Sequence, residues 1–202
     1  MLQRIDLRGV NTSRAVLADR LPRAALNVEK AMEIVAPLIE DVRARGGAAL
    51  RDLAEKFDHV RPEHLRVPEA ELKRAADELV PELREALSIS IGHNYTGHTA
   101  QLPEERVTEI MPGGIVRQRW IPVQRVGLYV PGGLAVYPSS VIMNAVAAQV
   151  AGVQQIALAS PPQAEFGGLP HPTILAACYL LGIREVYAVG GAQAVGMFAH
   201  GA

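Results

Sequence analysis

The chain has 202 residues, of which 49% are hydrophobic and 20% charged, enough to bury a sizeable core in one large or two small domains. Its 20 Lys and Arg residues oppose 21 Asp and Glu residues, and no run of like charges indicates a nucleic-acid or membrane partner. The N-terminus lacks the apolar core of a secretory signal, and no segment reaches the ~18 apolar residues of a membrane span. A cytoplasmic protein is therefore expected, and a single cysteine, Cys178, fits its reducing conditions.

An N-terminal arm, residues 1–26, precedes a region in which apolar residues recur at helical spacing. The recurrence runs from Val28 to Val42 and stops at Gly46-Gly47, which predicts one helix. Pro37 lies inside this helix and is expected to kink it or restart it, because proline lacks the N–H that continues the hydrogen bonding. Further helices are predicted at three places: from Ala48 to Phe57, after Pro68 and after Pro81.

Between Arg106 and Gln124 the spacing changes to a near-alternation of apolar and polar residues. Pro112-Gly113-Gly114 separates two such runs, so this segment is predicted to form a β-hairpin. Charge then falls and glycine and alanine become frequent, which indicates a domain boundary near Gln124. Residues 27–124 are thus predicted to form a helical region with a hairpin.

Residues 125–202 contain three repeats of a strand, a turn and a helix rich in small apolar residues. The predicted strands are Val126–Val130, Gln155–Ser160 and Glu185–Val189, and the predicted helices begin near Ser139, Pro172 and Gly191. This β-α-β-α-β-α order predicts a parallel sheet covered by helices, and an α/β fold class for the chain. Because right-handed crossovers place the carboxyl ends of all strands at one edge, a ligand is expected there.

Two turns at that edge are candidate binding elements, Tyr129-Val130-Pro131-Gly132-Gly133 and Val189-Gly190-Gly191-Ala192-Gln193. Glycines between a strand and a helix let backbone approach a phosphate at the helix N-terminus. Neither turn matches GxGxxG, so glycines that only form tight turns fit the pattern equally well. Tyr129 and Gln193 carry the best-placed polar groups, and each also has a purely structural interpretation at the end of its element.

The sequence gives little support to a metal site, a cysteine nucleophile or a serine hydrolase. None of the six histidines lies in HExxH, and no Asp or Glu accompanies a pair of them at helical ligand spacing, so each is predicted to be structural or exposed. Cys178 lies in an apolar helix without a basic neighbour, which disfavours a cysteine nucleophile. Ser139 and Ser140 are not part of GxSxG, which disfavours a serine hydrolase.

Several motifs taken together resemble those of histidinol dehydrogenases. They are Val126 to Gly133 (VGLYVPGG), Tyr137 to Asn144 (YPSSVIMN), Val150 to Val153, Ser160-Pro161-Pro162 and Val189 to Ala194 (VGGAQA). Weaker similarities occur earlier, at Arg43 to Gly46, Glu55 to Asp58, His98 to Gln101 and Trp120 to Pro122. The resemblance covers most of the chain after about Ala31.

The resemblance implies a Rossmann-like domain that binds NAD through the tyrosine of YVPGG and the glutamine of GGAQA. Carried over, these residues are Tyr129 and Gln193, with Gly132 and Gly133 lining the cofactor. It also implies a cytoplasmic homodimer that uses zinc and NAD to oxidise L-histidinol, through the aldehyde, to L-histidine. The family's GPGN asparagine, zinc ligands, histidinol-binding residues and Glu-His proton-transfer pair are expected beyond Ala202, so neither catalytic nor metal-binding residues are assigned here.

These 202 residues alone are therefore expected to show no histidinol-dependent NADH production and no stoichiometric zinc. Two other hypotheses stay open. The first is a non-catalytic nucleotide-binding module, which the two turns allow. The second is a structural or oligomerisation piece, because a three-stranded sheet would leave an unpaired edge.

Overall fold

The computed structural model describes residues 4–10, 13–21, 28–132 and 135–202. By its internal contacts the chain divides into two units, Met1–Ala36 and Pro37–Ala202. The first unit contains helix α1 (Arg14–Arg20) and the beginning of helix α2 (Val28–Arg45). The second contains the remaining elements and all of the features that form the candidate site.

Helices and a hairpin make up the earlier part of the second unit. After α2 come α3 (Gly47–Asp58), α4 (Glu69–Asp77) and α5 (Pro81–Thr99). Pro81 occupies the first turn of α5 and Pro68 immediately precedes α4, where a missing N–H costs no helical hydrogen bond. Strands β1 (Arg106–Met111) and β2 (Gly114–Gln118) pair antiparallel, so the predicted hairpin is confirmed. Its side chains are largely exposed, as Ile110 at 66% illustrates.

The later part has the alternating order that the sequence predicts. Its elements are β3 (Arg125–Tyr129), α6 (Pro138–Val150), β4 (Gln155–Ser160), a 3₁₀ helix (Ala164–Phe166), α7 (Pro172–Leu180), β5 (Glu185–Ala188) and α8 (Gly191–His200). The three strands form a parallel sheet in the order β3-β4-β5, with Tyr129 opposite Ala159 and Ser160 opposite Ala188. The predicted α/β fold class is confirmed.

Hydrophobic clusters cover both faces of this sheet, as the continuous apolar strands predict. On one face, where Leu158 lies, the cluster packs the sheet against α4, α6 and α7. Leu72, Ile142 and Ile174 in this cluster are only 0 to 1% exposed. The other joins the face that carries Ala159 to α2, α3 and α8. Because residues on both sides of Gln124 share the first cluster, the division of domains at that point stays a prediction.

The structure contradicts one part of each of two local expectations, a helix restart at Pro37 and a bare sheet edge at β5. Pro37 does not start a new helix, because α2 continues through it, so the flanking hydrogen bonds outweigh the one that proline removes. The edge formed by β5 is not bare, since Val67 N–H donates to the carbonyl of Val186 at 2.8 Å and Ala188 N–H donates to that of Leu65 at 2.7 Å. That edge gives no argument for oligomerisation.

None of the helices in the described part of the chain combines the length and the apolar character that crossing a membrane requires.

Candidate functional site

The two glycine turns named from the sequence lie side by side at the carboxyl edge of the sheet. β3 ends at Tyr129 and β5 at Ala188, with β4 between them. The Tyr129 hydroxyl nevertheless reaches across and accepts a hydrogen bond from the Gly191 N–H at 3.2 Å. Parallel strands bring these turns to one edge, and this hydrogen bond fixes one against the other.

Close packing leaves no room for a side chain at several glycines of these turns. Gly191 has φ +61°, and a Cβ there would lie 2.7 Å from Gln193 Oε1. A Cβ on Gly132 would lie 3.0 Å from Ser160 Oγ, and the Gly132 carbonyl accepts a hydrogen bond from the Gln163 amide. The positive φ of Gly191 shows that this glycine serves the geometry of its turn, whereas the approach of its backbone to a ligand stays a prediction. Gly133 lies outside the described residues.

A cleft of about 350 Å³ opens between the two turns, the middle of α2 at Leu38 and the end of α3. Gln193 lies in the first turn of α8, is only 3% exposed, and contributes to the cleft wall. The wall formed by the described residues is mostly apolar or backbone and contains no Lys or Arg. Its residues are Leu38, Phe57, Asp58, Tyr129, Pro131, Gly132, Pro161, Gly191, Ala192 and Gln193.

Two buried side-chain oxygens have no hydrogen-bond partner among the residues that the structure describes, one on a residue of the cleft wall and the other beside Gly132. They are Asp58 Oδ2 and Ser160 Oγ. Burial raises the pKa of Asp58 to about 6, and the nearby His59 lowers it by a smaller amount. Buried polar atoms are normally paired, so two unpaired ones at the same edge indicate a place for a ligand.

Sequence reasoning missed Asp58 and Ser160 as site residues. Ser160 is predicted as the last residue of a strand and also begins the Ser160-Pro161-Pro162 motif, but neither signal assigns a role to its hydroxyl. Asp58 ends α3, a helix predicted only as part of a helical layer, so no local pattern placed it at the sheet edge. Tyr129, Gly132 and Gln193 are brought together as expected.

The structure also shows the surroundings of His171 and Cys178. His171 is a helix cap, since its Nδ1 accepts from the Thr173 N–H at 3.1 Å, and its burial lowers its pKa. Cys178 is fully buried, and this burial raises the pKa of its thiol to about 12, so the predicted core role is confirmed. Across residues 4–10, 13–21, 28–132 and 135–202, no three His, Cys, Asp or Glu side chains form a group able to hold a metal.

Comparison with known proteins places the chain among relatives. Residues 21–202 match the family model for histidinol dehydrogenase. The chain is 56% identical over 200 residues to a histidinol dehydrogenase of Nocardia farcinica, and 57% identical over 202 residues to one of Thermobifida fusca. Those alignments cover 99% and 100% of this chain but 45% of each relative, so the chain spans less than half of their length.

A solved structure gives the same result for the fold. The crystal structure of histidinol dehydrogenase from Elizabethkingia anophelis superposes with a TM-score of 0.83 at 28% identity. The superposition covers 95% of this chain and 44% of the crystallised one.

Proposed function

Because the chain belongs to the histidinol dehydrogenase family, we propose that its cleft holds the NAD of a histidinol-oxidising oxidoreductase. The observation that carries this proposal is the contact between the two glycine turns, Tyr129 Oη to Gly191 N, at the carboxyl edge of a parallel sheet. In open α/β sheets, dinucleotides bind at this edge.

The residues present fit such a cofactor. The N-terminus of α8 has no acidic residue in its first turn and follows Gly190, so its positive dipole end can face a pyrophosphate. Gly132 and Gly191 let backbone approach that group, and the buried Ser160 hydroxyl is free to hydrogen-bond it. Gly133 joins this set by resemblance. When bound, NAD supplies the acceptor for the hydride that leaves the alcohol or aldehyde.

Tyr129 and Gln193 orient the cofactor in this proposal. Tyr129 holds the Gly191 turn in place and presents an aromatic face to the cleft. The buried Gln193 amide can both donate and accept, which suits a group with mixed polarity such as a phosphate ester or a ribose. Both roles agree with the mostly apolar cleft wall.

The remaining parts of the reaction are proposed for the whole protein of this family. We propose that it acts on L-histidinol in two oxidation steps as a cytoplasmic homodimer. The described residues contain no group that fits zinc, so no step through that metal is assigned to them. Because the chain spans 45% of its relatives' length, we also propose that these residues alone bind the cofactor without turning over histidinol.

Substitutions at the two polar residues test the NAD site. Titration calorimetry of the chain with NAD should show a loss of about tenfold or more for Gln193→Ala, because a buried polar partner is removed. Tyr129→Phe should lose several-fold, because the Gly191 N–H then has no acceptor. Matched controls are Gln154→Ala, exposed at the opposite edge, and Tyr95→Phe on α5. If the controls weaken NAD binding as much as the site variants do, the proposed site is wrong.

A further inference from the structure

Among the residues that the structure describes, Asp58 is the one carboxylate in the cleft wall, and neither the glycine turns nor the two orienting residues account for it. It ends α3 and lies in the same wall as Tyr129, Gly132 and Gly191. Its Oδ2 is buried without a hydrogen-bond partner in the described part of the chain. Among the described residues no Lys or Arg lines the cleft to neutralise it, and Arg61 pairs with Asp52 and Glu55.

A buried carboxylate without donors is unfavourable, so a ligand that brings hydrogen-bond donors would relieve the cost. An ionised carboxylate only accepts hydrogen bonds and can accept two at once. A ribose cis-diol offers two adjacent O–H donors, whereas a phosphate or another carboxylate would add like charge. The chemistry of this position therefore favours a sugar diol over an anion.

The neighbouring wall identifies which of the two riboses lies there. Phe57 precedes Asp58, is 49% exposed, and lines the cleft together with Pro131 and Pro161. A purine offers this apolar and aromatic wall a larger flat surface for stacking than the nicotinamide ring does. The adenosine end of the dinucleotide thus fits beside Asp58.

We infer that Asp58 accepts hydrogen bonds from the adenosine ribose hydroxyls of the bound dinucleotide and thereby selects NAD over NADP. This inference rests on the proposed function. In NADP the 2′-hydroxyl donor is replaced by a phosphate, which places negative charge against the carboxylate. Asp58 is a specificity residue in this account, and it takes no part in the hydride transfer.

The test compares NAD and NADP binding by calorimetry at pH 7.5 in the unmodified chain, in Asp58→Asn and in Asp58→Ala. The unmodified chain should prefer NAD. Asp58→Asn should shrink the ratio of NAD to NADP affinity by about tenfold or more, because it removes a charge-assisted acceptor and the repulsion of the phosphate. Glu55→Gln is the matched control, since it removes one negative charge from the same helix outside the cleft, and its ratio should not change.

The outcomes separate this inference from the proposed function. Asp58→Asn has nearly the same shape as the original side chain and removes a buried charge, so its unfolding temperature should not fall. An unchanged NAD to NADP ratio in a folded Asp58→Asn, with Gln193→Ala still weakening NAD, would overturn the role of Asp58 alone. The same unchanged ratio would result if Asp58 contacted the nicotinamide ribose, because Asp58→Asn would then weaken the binding of NAD and of NADP equally. If the unmodified chain binds neither cofactor, both ideas are wrong.

Discussion

Gly191→Ala is expected to weaken NAD binding by about tenfold or more, a larger effect than any other single methyl group added to the cleft. Gly191 has φ +61°, a conformation that alanine adopts at a cost of about 1 kcal/mol or more. Its new Cβ would also lie 2.7 Å from Gln193 Oε1, so the Gln193 side chain must leave its position. One methyl group therefore disturbs the turn, the Tyr129 contact and the buried amide together.

Calorimetry with NAD measures this effect, and Gly97→Ala is the matched control. Gly97 lies within α5, where a Cβ would meet no atom within 4 Å and φ is ordinary for a helix. Gly97→Ala should leave NAD binding unchanged and keep or raise stability, since alanine favours a helix. Equal NAD affinity for Gly191→Ala and the unmodified chain would contradict the close approach of backbone to the cofactor.

Leu158→Ala should lower the free energy of unfolding by about 2 to 5 kcal/mol, which is a large share of the stability of a domain this size. Leu158 lies on the central strand β4, is fully buried, and packs into the core shared by α4, α6 and α7. Truncation leaves a cavity where parallel strands and helices meet, and this rigid part of the fold cannot collapse to fill it.

Urea unfolding followed by circular dichroism measures the loss, with Ile110→Ala as the control. Ile110 is an aliphatic residue of the hairpin that is 66% exposed, so its truncation should cost about 0.5 kcal/mol or less. Similar losses for the two variants would mean that the buried core is not centred on the parallel sheet.

Much of the fold follows from local sequence patterns. The alternation of strands and small-residue helices after Gln124 predicts the parallel sheet, because each repeat carries its own turn glycine or proline. The hairpin at Pro112 to Gly114 and the start of α5 at Pro81 follow from the same local rules. Pro37 shows the limit of such rules, because one proline does not outweigh the hydrogen bonds and packing of the 18-residue helix around it.

Some residues of the candidate site can likewise be predicted from the sequence, and others cannot. Tyr129 and Gln193 are predictable, since each lies where a strand ends or a helix begins, and parallel topology brings those positions together. Their exact contact is not predictable from spacing, because the Tyr129 hydroxyl reaches past β4 to the Gly191 N–H. Asp58 could not be placed at all, since its position depends on how α3 packs against the second core and not on any pattern near it.

An NMR titration of the ¹⁵N-labelled chain with NAD tests whether the two glycine turns form one dinucleotide site. We expect the backbone amide signals of Tyr129, Val130, Gly132 and Gly190 to Gln193 to shift together in one saturable transition. Amides at the opposite edge of the sheet, such as those of Gln155 and Glu185, should stay unchanged. Shifts confined to that opposite edge, or no saturable shift at either turn, would contradict a dinucleotide site at the two turns.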